Sequence, residues 1–90
     1  MERAHLFRLG QVNITPKAEA ILVSLDIAIA LQRHRCGDYG ELTPEDIYQN
    51  QRGLANSGMV MSVYRTANGT EFWIQTHGTR SYTTILLPGE

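Results

Sequence analysis

Cysteine occurs once, at Cys36, in a chain of 90 residues. Neither an internal disulfide nor a zinc site of paired thiolates can therefore hold the fold together, and a reducing cytoplasm is the expected compartment. An excess of charge of either sign is also missing, since eight Lys and Arg face nine Asp and Glu for a formal net charge of −1. Counterion release needs clustered cations, so neither nucleic acid nor an anionic membrane is an expected partner. No apolar run reaches the roughly 20 residues that a bilayer span requires. The most apolar stretch, 18–31, is interrupted by Glu19, Ser24 and Asp26. Residues 1–10 alternate charged and apolar side chains and lack the apolar core of a signal peptide. His5, His34 and His77 stand in separate segments, without the spacing of a ligand set, so no metal or other cofactor is expected.

What is present describes an ordinary folded chain, 42% hydrophobic and 19% charged, without repeats or low-complexity tracts. A chain this short buries only about 60 to 65% of its unfolded surface, which allows one core and one small domain over 1–90. Thr15 before Pro16 is a helix start: the threonine oxygen can cap a backbone N–H, and proline costs nothing where that donor is unpaired anyway. One helix is expected from about 16 to 35. Ile21, Leu22, Leu25, Ala28 and Ile29 share one of its faces, and Val23, Ile27, Ala30 and Leu31 widen the apolar surface around most of the circumference. Only Glu19, Asp26 and Arg33 form a polar line, expected to face solvent. A helix so apolar is wrapped by the other elements or packs on another subunit, so a homodimer is an expected partner arrangement.

Arg33-His34-Arg35 then falls where helix carbonyls lack partners, and Gly37 can supply the left-handed stop. Dipole complementation is the expected role of that cluster, with phosphate contact as the alternative. Thr43-Pro44 repeats the start signal for a second, shorter helix carrying Ile47, Tyr48 and Leu54, ended by Asn56-Ser57-Gly58.

Beyond Gly58 the period becomes two. Strands are expected over 59–65, 71–77 and 81–87, the first pair joined through Asn68-Gly69 as a two-residue turn. That turn sets Tyr64 opposite Trp73, Val63 opposite Ile74 and Ser62 opposite Gln75. Met61, Val63, Phe72 and Ile74 would then pack under the helices, leaving Ser62, Tyr64, Trp73 and Gln75 on the other face. The fold class is α+β: two helices followed by a three-stranded antiparallel β-meander, extended by an N-terminal strand within 6–14.

In order and spacing, His34-Arg35-Cys36-Gly37-Asp38-Tyr39-Gly40, Asp46 and Asn50, Ser62-Val63-Tyr64, Phe72-Trp73-Ile74 and Arg80-Ser81-Tyr82-Thr83-Thr84-Ile85-Leu86-Leu87-Pro88 carry a resemblance. Over about 6–88 the chain resembles a family of short bacterial proteins of plasmids and other mobile elements. Members read H-x-x-G-D-W-G and end in D-R-S-x-T-T-x-L-x-P, and some are labelled a modification subunit of a type I restriction enzyme. Methyl transfer would need a glycine-rich cofactor loop and an N-P-P-Y type motif, which this chain lacks, so the resemblance implies a mobile-element setting rather than that chemistry. Thr76-His77-Gly78-Thr79-Arg80 replaces an acid-rich T-E-A-D-R in the family, and Tyr39 replaces a tryptophan.

Asp38, between two glycines, is expected to accept local backbone N–H groups and hold Tyr39 against the core. Alternatively, both face a partner. Cys36, His34 and Asp38 can be drawn as a nucleophile with its base, but neighbours at a helix end rarely aim at one point. Arg80 is expected to pair with Asp38 or Glu71, or to hold an anion with Thr83 and Thr84. Candidate binding residues are thus His34, Asp38, Tyr39, Tyr64, Trp73 and Arg80. The expected function is a non-enzymatic, mobile-element-encoded binding protein directed at a protein partner, such as a host defence or replication component. The alternative is a small dimeric hydrolase or nuclease in which His34, Asp38 and Arg80 meet.

Overall fold

A computed structural model describes residues 4–90; Met1, Glu2 and Arg3, the start of the N-terminal stretch read above, lie outside the described residues. The elements are β1 (Gln11–Ile14), α1 (Pro16–Ile21), α2 (Ser24–Arg35), α3 (Pro44–Asn56), β2 (Val60–Arg65), β3 (Glu71–Thr76) and β4 (Tyr82–Leu86). The class is α+β as expected, with three helices in place of two. The sheet runs β1-β4-β3-β2. It is mixed rather than purely antiparallel, because β1 lies parallel to β4 while β4, β3 and β2 form the meander.

Both helix starts have the expected chemistry. Thr15 Oγ1 accepts from the Ala18 N–H (3.2 Å) and Thr43 Oγ1 from that of Asp46 (3.2 Å), each ahead of its proline. Gly37, at φ 87°, follows the last turn of α2 and donates its N–H to the His34 carbonyl.

The single helix expected over 16–35 is broken, however, with Leu22 and Val23 both extended (φ −92° and −86°). Its buried residues explain the break. On one continuous helix Ala18 and Leu22 would lie roughly 120° around the axis from Ala30 and His34, so both pairs could not face the sheet. Re-aiming the chain at Leu22 and Val23 lets all four reach the interior, where Ala18, Leu22 and Ala30 join Tyr64, Phe72, Ile74 and Ile85 in the core. On the next helix Ile47 and Leu54 are half-buried and Tyr48 is exposed.

The hairpin corrects a second expectation. Thr66 N–H donates to the Thr70 carbonyl and Gly69 N–H to the Thr66 carbonyl, both at 2.9 Å, closing a three-residue loop over 67–69. Gly69 takes the left-handed conformation (φ 89°), as the last residue of such a loop requires. The register therefore pairs Tyr64 with Phe72, Val63 with Trp73 and Ser62 with Ile74. One residue of slip turns every β2 side chain over. Val60, Ser62 and Tyr64 point under the helices, and Met61 and Val63 share the outer face with Trp73 and Gln75.

The β2 edge of the sheet is covered. Asn50 of α3 mimics a neighbouring strand: its amide donates to the Met61 carbonyl (2.6 Å) and its oxygen accepts the Met61 N–H (2.9 Å). Val63 N–H donates to the Tyr39 carbonyl (3.1 Å), and its carbonyl accepts from Glu41 N–H (2.8 Å). Gly40 passes so close that a Cβ there would lie 2.0 Å from the Val63 oxygen.

Candidate functional site: the outer face of the first two helices

His34 is fully buried, with no accessible surface. It is not the exposed dipole partner expected from the basic run. Its Nδ1 lies 2.5 Å from Ser62 Oγ and its Nε2 2.9 Å from Thr76 Oγ1. Thr76 Oγ1 in turn meets Thr83 Oγ1 (2.8 Å), which donates to the Leu9 carbonyl (2.7 Å). A carbonyl only accepts, so the direction of the chain is set from that end. Thr83 donates to Leu9, Thr76 to Thr83, His34 Nε2–H to Thr76, and Ser62 to the bare Nδ1. The imidazole is neutral with its proton on Nε2. Burial, helped by the positive Arg80, lowers its pKa to about 4. Phe7 and Tyr39 pack edge-on against the ring.

The other expected partners also separate. Asp38 pairs with Arg33 through two contacts (2.8 and 3.2 Å) and accepts the Gly40 N–H (3.3 Å). The Tyr64 hydroxyl donates to the Asp38 carbonyl (2.6 Å), and the Arg33 guanidinium lies 4.7 Å from the centre of the Tyr64 ring. Tyr39 and Tyr64 are both buried, and burial raises the pKa of each phenol. Arg80 pairs with neither Asp38 nor Glu71. It donates to the carbonyls of Gly58 (2.6 Å), Gly53 (3.0 Å) and His77 (3.1 Å), tying off the C-terminal end of α3. Of the candidate rings, Trp73 alone stays on the outer sheet face, its indole N–H held by Glu71 (2.9 Å). His34, Asp38 and Arg80 thus engage different partners rather than one cleft. Cys36 accepts from Gln32 Nε2 (3.6 Å), on neither the His34 nor the Arg33–Asp38 contact set. Among the described residues no group of three or more His, Cys, Asp or Glu is placed to hold a metal, and no helix is long and apolar enough to cross a membrane.

The unusual surface lies elsewhere. Ile21, Val23, Leu25 and Ile29, at the end of α1, in the link and on α2, are 55, 62, 67 and 51% exposed. At roughly 100 Å² each they expose on the order of 400 Å² of apolar surface, comparable to the largest apolar patch of a typical monomer, which commonly marks an interaction surface. The break at Leu22 and Val23 creates it, by turning Ala18, Leu22, Ala30 and His34 inward and leaving these side chains out. The sequence did signal an excess of apolar residues on this segment. Of the expected solvent line Glu19 is exposed, whereas Asp26 and Arg33 are half-buried beside the β2–β3 loop. The chain shows no significant match to protein-family models, to curated proteins or to solved structures.

Proposed function

We propose that this chain is a non-enzymatic binding protein that engages a protein partner through the outer face of α1 and α2, in the mobile-element setting implied by the resemblance. A host defence or replication component is the class of partner. One observation carries the reading: four large aliphatic side chains within nine residues, spanning the end of α1, the link and α2, stand more than half exposed. Keeping that much apolar surface in water is unfavourable at about 25 cal/mol per Å², and a partner removes the penalty. The patch is about half of the roughly 800 Å² that each side of a stable interface buries. Face-to-face pairing of two copies over these residues alone is therefore weak, which favours a partner reaching beyond the patch. The hydrolase alternative has less support, because His34, which it needs at the surface, is committed to Ser62 and Thr76 in the interior.

The test is comparative affinity capture with the wild type and the Leu25→Asp/Ile29→Asp double variant, both shown to be folded by circular dichroism. Proteins retained by the wild type and lost from the double variant are the expected result. Identical captured sets would refute the assignment of the face.

A further inference from the structure

Two hollows meet along the inner bank of the apolar face, between α2 and the β2–β3 loop. One, of about 270 Å³, is lined by Ile21, Val23, Asp26, Thr66, Ala67 and Asn68. The other, of about 110 Å³, continues from Asp26, Thr66 and Ala67 towards Arg33 and Arg65. Each is smaller than the roughly 300–1,000 Å³ of a small-molecule site, a size suited to single side chains. Asp26 is half-buried where they join and makes no hydrogen bond or ion pair among the described residues. Its place in the first turn of α2 complements the helix dipole but uses none of the carboxylate's acceptor capacity. The cations near the smaller hollow are already engaged, Arg33 by Asp38 and Arg65 by Glu41 and Glu71. In the larger hollow Asp26 is the only charged side chain of the lining.

We propose that this larger hollow receives a lysine or arginine side chain from the partner, bound by the Asp26 carboxylate, with the residues beside that cation packing on Leu25 and Ile29. The assignment rests on reading the α1–α2 face as a protein-binding surface and names the chemistry of its occupant: a segment carrying a basic residue among apolar ones. Charge and shape both select it. A long basic side chain lays its aliphatic stem along Ile21 and Val23 and brings its head to the carboxylate, where the hydrogen bonds are charge-assisted and occupy the acceptors that Asp26 leaves open. A purely apolar segment would cover the half-buried carboxylate without a partner for it, an unfavourable desolvation. An acidic segment would add like-charge repulsion.

Random dodecapeptides displayed on phage, selected against the full chain, test this directly. Enriched sequences are expected to carry Lys or Arg flanked by apolar residues. As synthetic peptides they are expected to bind the wild type about tenfold or more tightly than Asp26→Asn, a loss of about 1.4 kcal/mol. Binding to Asp46→Asn, altered at the exposed start of α3, is expected to be unchanged. Their amide shift changes should fall on Ile21, Val23, Thr66 and Ala67. Enriched peptides without a basic residue, or basic peptides that bind Asp26→Asn equally well, overturn the role of Asp26 while leaving the apolar face as the binding surface. Selection of nothing that distinguishes the wild type from Leu25→Asp/Ile29→Asp overturns both. Concentration-dependent dimerisation abolished by Asp26→Asn would assign the hollow to a second copy and overturn the foreign segment.

Discussion

Acid should weaken this fold through one imidazole. In the unfolded chain His34 takes up a proton near its ordinary pKa of 6.5, whereas in the folded protein burial and then the charge of Arg80 hold the value at about 4. Because the native pKa is the lower, the unfolded state binds more protons between the two values, and the stability from a neutral His34 is lost as pH falls through that window. The difference in pKa corresponds to about 3 kcal/mol, a sizeable part of the stability of a domain this small. The assay is urea unfolding at intervals from pH 7.5 to about 4, on the wild type and on His34→Gln, whose amide can still donate towards Thr76 and accept from Ser62. Every other ionisable group is common to the two proteins, so the difference between the two stability curves isolates position 34. That difference should be flat above pH 7 and shift against the wild type by about 3 kcal/mol towards pH 4. Nitrogen chemical shifts of the ring should report a proton on Nε2 throughout the neutral range. Parallel curves, or a ring that titrates near 6.5 in the folded protein, would refute the buried chain of hydroxyls around it.

Three further outcomes follow from particular contacts. Arg80→Ala should cost about 2 kcal/mol in urea unfolding, because it leaves the Gly53 and Gly58 carbonyls without their charged donor; a loss below about 0.5 kcal/mol would show that water replaces it. Asp38→Ala should cost about 1 kcal/mol, since its ion pair with Arg33 is more than a third exposed on both sides and therefore screened; an unchanged denaturant midpoint would return Asp38 to the candidates for partner contact. Gly69→Val should cost about 1 kcal/mol or more from backbone strain alone, because φ is 89° and nothing lies within 4 Å of an added Cβ; an unaltered melting temperature would place the loop elsewhere.

Local signals were legible in the sequence and long-range ones were not. Thr15-Pro16 and Thr43-Pro44 marked helix starts because a cap is made by residues adjacent in the chain. Asn68-Gly69 marked a turn by the same logic, but its residue types suit a two-residue loop and a three-residue loop alike, and the choice decides which face of β2 is buried. Tyr64 was consequently placed outside and Val63 inside, the reverse of the structure. The interruption at Leu22 and Val23 carries no glycine or proline; it comes from the need of Ala18 and His34 to meet one sheet, which no local window contains. His34 sits between two arginines at a helix end and reads as a surface charge. Its true partners, Ser62 and Thr76, point inward only once the strand register is known. The apolar excess on the first helical segment was visible from the start, and only the fold shows which of those side chains remain outside.

The two margins of the sheet are unequal. Along β2, Asn50 and the backbone of residues 39–41 occupy the outward-pointing amides and carbonyls of Met61 and Val63, whereas no further strand among the described residues lies beyond β1. Should one copy zip onto another by strand addition, β1 is the open margin among the described residues, and a second β1 is its counterpart. Such a union is isologous and self-limiting, because joining the two margins uses up both acceptors and leaves no site for a third copy. The side-chain amide of a single asparagine thus shares with the 39–41 backbone the task of capping growth at β2, and only the loss of both would open that margin to a further strand.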